Sequence, residues 1–287
     1  SPEVDAYEVT RDGQVIGRFY FDMHPRPDKY KHAAMFPIAT GLSDANGQTT
    51  RVPYASLVCN FPAPTKESAV ALMDHSQVVT FFHEFGHLIH HLLAQQSPWI
   101  SLSGINVEWD FVEAPSQLLE EWAWDPKVLA TFAKNGAGEV IPAALVAKMK
   151  KADEFGKGVE LARQLFYAAY SYQLHKADPA TLDLEAFTSQ MYADWSPYPR
   201  PADDHLYANF AHLIGYKSAY YTYQWSLSIA KDLFTRFKAK GLLDPGVAAD
   251  YRTKVLEPGG TNKAEALVRD FLGRERNLDA YRAWITK

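Results

Sequence analysis

An apolar, helix-compatible run opens near Asp74 and extends to about Gln95, and its middle reads Thr80-Phe81-Phe82-His83-Glu84-Phe85-Gly86-His87. No other stretch constrains the fold as much. Histidines four apart lie about one helical turn from each other, so both imidazoles can reach one ion if the segment is helical. A second element must then bring a third ligand to the same place. Glu84, beside the first histidine, is placed to take a proton from water at that ion. A single histidine on an apolar helix is ordinarily a satisfied core residue. Two at this spacing with a glutamate between, in a helix lacking other reason for charge, point to a metal.

The totals narrow the partners. A chain of 287 residues has room for one large domain or two small ones with a sizeable core. Hydrophobic content of 47% with 22% charged residues reads as an ordinary soluble globular protein. A net charge of -5 supplies no basic patch, so nucleic acid is not an expected partner. The lone Cys59 excludes an internal disulfide and any cysteine-based zinc site, and a reducing, cytoplasmic compartment is the expectation. No apolar run has the length of a membrane span, and Ser1-Pro2-Glu3 lacks signal-peptide character.

Taken in order, the chain changes character once. Residues 7–9 and 15–21 flank the turn pair Asp12-Gly13 and predict a hairpin. Gly41, Asp44, Asn46 and Gly47 predict a loop, and residues 51–60 a third strand. Phe61-Pro62-Ala63-Pro64 ends the extended region, and helical patterns follow. Asp74 and Gln77 form a capping-box pair at the start of the histidine-bearing helix. Further helices are predicted over 112–124, 127–133, 143–152, 159–175, 184–194, 216–240, 247–255 and 263–272. The fold class is mainly α with a small β-sheet near the amino end. One catalytic domain over 1–287 is expected, with 1–64 mostly strands and loops and 65–287 helical.

Catalytic zinc has three protein ligands and keeps a fourth position for water. The acidic candidates after His87 are Glu108, Asp110, Glu113, Glu120 and Glu121. Pro115 chooses among them, because proline is tolerated only in the first turn of a helix. The second helix therefore begins at about Phe111 or Val112, and Glu113 falls in its first turn, where the dipole favours a carboxylate. Glu113 is the expected third ligand, so the zinc site spans 77–124. Glu120 lies two turns on and could orient a ligand, and Glu108 and Asp110 could do likewise. His90 and His91 are assigned supporting or surface roles, since a fourth protein ligand would close the site. In the tyrosine-rich segment 205–230, a helix would put Tyr216, Tyr220 and Tyr223 on one face, with His212 a turn earlier. A phenol is a good donor to an oxyanion at neutral pH. An aromatic core stripe explains the same spacing. Gly215, just before the stripe, would let the backbone move or approach a ligand.

These segments resemble the thimet oligopeptidase family of zinc metallopeptidases, to which neurolysin, oligopeptidase A and peptidyl-dipeptidase belong. The likeness runs through Gly17-Arg18-Phe19-Tyr20-Phe21-Asp22 with Arg26 and Lys29-Tyr30, and through Leu57-Val58-Cys59-Asn60-Phe61. It continues in residues 80–87, Ser103-Gly104, residues 110–117 and 212–225, Pro258-Gly259-Gly260 and Phe271-Leu272-Gly273-Arg274. The resemblance implies a zincin-like catalytic domain that holds one Zn2+ on His83, His87 and Glu113, with Glu84 as general base. It further implies that Tyr216, Tyr220 and Tyr223 line the cleft, that Tyr223 and Tyr216 steady the tetrahedral intermediate, and that His212 contacts bound peptide. Short peptides are the implied substrates, cut internally or, as the alternative, as dipeptides from a free carboxyl end. A zinc-bearing peptide-binding or assembly module with weak catalysis is the reading from another class. The likeness covers only the carboxy-terminal half of the family, without its helical amino-terminal half. A second copy or a separate amino-terminal half would then complete the cleft. Ile105-Asn106 and Trp109 stand where Thr-His and Arg are common in the family, and a single Gly215 where many relatives have two glycines.

Overall fold

The computed structural model describes residues 3–68 and 70–286, so Ser1 and Pro2, with their lack of signal-peptide character, lie outside it. The hairpin forms as read, with β1 (Asp5–Arg11) antiparallel to β2 (Gln14–Asp22). The expected third strand is divided at Pro53, whose missing N–H cannot serve a ladder. Its beginning becomes β5 (Thr49–Arg51) and its end β6 (Tyr54–Val58). The loop around Gly47 is closed by a short ladder of β5 with β4 (Leu42–Ser43).

One strand escapes the sequence pattern. β3 (Ala34–Ala39) pairs antiparallel with β6, and the four-stranded sheet has the order β1-β2-β6-β3 with β2 and β6 parallel. Pro37 argues against a strand in the sequence. Here it is accommodated because β3 is an edge, where one row of backbone donors has no ladder partner.

The helical part begins with α1 (His75–Leu93), entered through the expected capping box, in which the Asp74 amide donates to Gln77 Oε1 at 2.9 Å. One face of α1 lies on the sheet, where Leu88 and Leu92 join Phe19, Ala55, Leu57 and Cys59 in a buried cluster. Another face meets α2 (Ala114–Glu120) near the histidines, where Gly86 faces Pro115 and Ser116. A Cβ on Gly86 would lie 2.6 Å from Ser116 Cα and 3.0 Å from the Pro115 carbonyl oxygen. Both are backbone atoms and cannot swing away. Gly86→Ala is therefore expected to force α2 outward and to lower stability by about 1–3 kcal/mol, the usual range for overpacking. Denaturant unfolding measures the loss, and a zinc titration should show weakened binding because Glu113 immediately precedes α2.

Beyond α2 come α3 (Pro126–Phe132), α4 (Ala143–Asp153), α5 (Lys157–Lys176), α6 (Leu184–Trp195), α7 (Leu206–Asn209) and α8 (His212–Gly215). The helix expected over 216–240 is shorter at its start. α9 runs Thr222–Lys240, and residues 216–221 are turns and loop. Lys217 takes the left-handed region at φ 53°, which a helix cannot contain. The spacing of the tyrosines suits a helix, but buried anchors at Thr222 and Ser226 set its beginning later. α10 (Pro245–Tyr251), α11 (Ala264–Leu272) and α12 (Asp279–Ile285) complete the chain, the last of them unforeseen. Phe111, Ala114 and Leu118 pack with Leu233, Phe237, Leu267 and Phe271 in the largest core cluster, and α5 and α6 form another around Phe166, Tyr170 and Met191. The fold is mainly helical with a small mixed sheet at its amino end, the class expected. No helix among the described residues is long and apolar enough to cross a membrane.

Candidate metal centre

α1 and α2 bring three donors to one point. His83 Nε2 and His87 Nε2 stand 3.2 and 3.1 Å from the same atom, Glu113 Oε2. All three donor atoms lie within 4.8 Å of one another. Ligand atoms around a tetrahedral zinc, with bonds near 2.0–2.1 Å, stand about 3.3 Å apart. The donor set is one that zinc takes, and the carboxylate already occupies the distance that a shared ion requires. The fit is good.

Pro115 places Glu113 as argued, with one residue's difference. Glu113 is the residue preceding α2, not part of its first turn, and Pro115 is the second residue of the helix. Its carboxylate is buried and also accepts from Ser116 Oγ at 3.2 Å. Burial alone would raise its pKa, but the hydrogen bonds from His83 and His87 outweigh that and hold it well below the usual carboxylate range. Burial likewise opposes charge on His83, yet Glu113 and Glu120 hold its pKa well above the ordinary value. Glu120 Oε1 lies 2.7 Å from His83 Nδ1, so it orients the ring with Nε2 toward Glu113.

The remaining candidates are spoken for elsewhere. Glu108 Oε2 accepts from the Ala264 amide at 2.8 Å at the start of α11. Asp110 accepts from the Tyr221 hydroxyl, and Glu121 pairs with Lys231. Among the described residues neither Glu108 nor Asp110 pairs with a histidine, and the orienting contact is made by Glu120. His90 and His91 are buried instead of lying at the surface. His91 Nε2 is 3.1 Å from the Ala39 carbonyl. His90 has no protein partner among the described residues, and burial, with His87 and His91 nearby, pushes its pKa down to about 3.

Glu84 is buried on α1, where its Oε2 accepts from the Met35 amide of β3 at 2.9 Å. No side-chain signal could have found this contact. The donor is backbone, in the strand that Pro37 disguised.

The tyrosines reach the site although they are not on one helix. Thr222 Oγ1 donates to the Trp109 carbonyl at 2.9 Å, Ser226 Oγ to that of Asp110 at 2.7 Å, and Gln117 Nε2 to that of Tyr223 at 3.0 Å. These bonds fasten the start of α9 to the segment that carries Glu113. The Tyr216 hydroxyl consequently donates to Glu113 Oε1 at 2.6 Å. The Tyr223 ring lies 5.2 Å from that of Tyr216, and the His212 ring is within 5.2–5.7 Å of Tyr216, Tyr220 and Tyr223. Burial, and next the Glu113 charge, raise the pKa of both Tyr216 and Tyr223, so both keep their protons. Tyr220 is placed differently. Its hydroxyl donates to Gln164 Oε1 of α5 at 3.1 Å, and burial pushes its pKa up to about 12. A Cβ on Gly215 would meet nothing within 4 Å, so no close approach requires glycine there. The unusual backbone of this loop belongs to Lys217.

Comparison with known proteins gives the setting of these residues. The profile of peptidase family M3 matches residues 1–285. Thimet-like oligopeptidase of Dictyostelium discoideum is 33% identical over 279 residues, which are 96% of this chain and 41% of that protein. Oligopeptidase A of Escherichia coli (strain K12) is 32% identical over 292 residues, 97% of this chain and 42% of that one. Saccharolysin of Saccharomyces cerevisiae is 34% identical over 271 residues, 93% and 38% respectively. The chain thus spans about two fifths of the length of these relatives. Among solved structures, metallocarboxypeptidase 1 of Trypanosoma cruzi shares the fold with a TM-score of 0.56 over 92% of this chain and 55% of its own, at 13% identity.

Proposed function

The chain belongs to peptidase family M3, and from that premise we propose that it is a zinc-dependent endo-acting oligopeptidase that hydrolyses internal bonds of short peptides. The observation that carries the reading is the convergence of His83, His87 and Glu113 on one point, with the Tyr216 hydroxyl on the far oxygen of the same carboxylate. Residues 1–287 are read as one catalytic domain with one Zn2+, to which a second copy or a separate amino-terminal half would add the facing wall. The single cysteine, which leaves no internal disulfide to form, supports a reducing compartment such as the cytoplasm.

Zinc in this position supplies a Lewis acid that acidifies water and polarises a carbonyl. The protein does the rest. Glu84 Oε2 is held by the Met35 amide, which leaves Oε1 to take the proton of the attacking water and return it to the leaving amine. Tyr223 keeps its hydroxyl hydrogen for the developing oxyanion, and Tyr216 donates there once its hydroxyl turns away from Glu113 Oε1, an arrangement worth about 3 kcal/mol where one such donor is removed. His212 and Tyr220 belong to the wall against which the peptide lies, with Gly215 beside them. The outer edge of β3, next to Glu84, offers main-chain groups to an extended peptide.

The test is a quenched fluorescent peptide, cut by the zinc-loaded chain and uncut after chelation, with activity restored by added zinc. Mass spectrometry of products from amidated and free-carboxyl versions then separates modes. Cleavage that survives amidation supports endopeptidase action, and cleavage that requires the free carboxyl assigns a peptidyl-dipeptidase. Zinc bound without hydrolysis of either peptide would leave a binding module.

A further inference from the structure

We infer that α5 is the element that positions the tyrosine-bearing loop over the metal centre, with Ser171 and His175 as its positioning residues. The inference rests on the reading of Tyr216 and Tyr223 as groups that act on bound peptide. The segment between α8 and α9 has only local backbone bonds of its own, such as Tyr216 N–H to the His212 carbonyl at 2.8 Å and Ala219 N–H to that of Tyr216 at 2.9 Å. Lys217 lies at φ 53°, a conformation that residues with a Cβ rarely adopt, and it persists only where surroundings impose it. α5 is the surrounding that does so. Ser171 is buried, and its Oγ donates to the Lys217 carbonyl. The His175 ring faces two carbonyl oxygens, with Nδ1 2.8 Å from that of Ser171 and Nε2 3.1 Å from that of Leu213. One helical turn and then two separate 175 from 171 and 171 from 164, so Gln164, which accepts from Tyr220, lies on the same face.

Three points on one face of α5 therefore hold the loop at 213, 217 and 220. Tyr216 lies between the first two, with its hydroxyl on Glu113. The far end of the loop is fixed independently by Thr222 and Ser226 on the Trp109 and Asp110 carbonyls. α5 is itself anchored at its amino end, where Lys157 Nζ stands 4.7 Å from the centre of the Trp284 ring of α12. A shift of α5 relative to α1 and α2 would move Tyr216 while leaving the three metal donors in place.

The experiment compares Ser171→Ala and His175→Leu with the parent chain by hydrogen exchange of amides 213–221, by kcat and KM on the quenched peptide, and by zinc affinity. His175→Gln serves as the conservative variant, because its amide N–H can still donate to the Leu213 carbonyl. Exchange in the loop should rise in both first variants while that of α1 is unchanged. kcat should fall about tenfold, within the range misplaced groups cause, with KM and zinc affinity within about threefold, and His175→Gln should recover most of the loss. Parental exchange in both variants overturns the inference, and so does raised exchange with parental kcat. A parent chain that binds zinc and cleaves nothing overturns the peptidase reading instead, and loop exchange then decides the role of α5 alone.

Discussion

Glu84→Gln is expected to leave zinc bound and to lower turnover of a quenched peptide by about a hundredfold to ten-thousandfold, the range for loss of a general base. The substitution keeps the side chain's shape, and its carbonyl oxygen can still accept from the Met35 amide that now holds Glu84 Oε2 at 2.9 Å. What it removes is the capacity to take a proton. Packing of α1 on the sheet is unaffected, because Leu88 and Leu92 supply that contact. Turnover near the parental value, with zinc content confirmed by atomic absorption, would sink the mechanism. Loss of zinc together with activity would move Glu84 from chemistry to structure.

Glu113→Gln should have the larger effect on the metal itself. Structural zinc sites bind with roughly 10–16 kcal/mol over four ligands, or about 2.5–4 kcal/mol for each. Replacing the charged ligand should therefore weaken zinc binding on the order of a hundredfold or more. The pH dependence should change with it. In the metal-free chain Glu113 and Glu120 hold His83 in its protonated form above its ordinary range, despite burial. Zinc must displace that proton, so the affinity of the parent chain rises as pH rises through neutrality. Without the Glu113 charge His83 releases its proton at lower pH, and the slope should flatten. Competition titrations against a chelator between about pH 6 and 8 measure both effects. An undiminished slope in the variant would show that Glu113 does not hold the proton on His83.

The amino-acid sequence disclosed the parts whose partners are near in the chain or announced by a strong local rule. The capping pair Asp74 and Gln77 marked the start of α1 to the residue, and Pro115 located Glu113 to within one position of the start of α2. The segments that resembled the thimet oligopeptidase family led to the family whose profile the chain matches. Long-range partners were not legible. Pro37 hid an edge strand, and the bond from Met35 to Glu84 is a backbone contact across 49 residues. The tyrosine spacing suited a helix, and the bonds from Ser171, Thr222 and Ser226 hold turns there instead. Glu108 and Asp110 had the right chemistry near the right place, but the Ala264 amide and the Tyr221 hydroxyl claim them.

The contact at Gly86 also sets a floor on how near α2 can come to α1. Ser116 Cα and the Pro115 carbonyl already meet the glycine where a Cβ would stand, so backbone faces backbone and no side chain remains to be trimmed. Length at position 113 must therefore come from the side chain alone. An aspartate there has the right charge and one carbon too few, and the helices have no travel left with which to make up the difference. A glutamate at 113 is then required by its reach as much as by its charge.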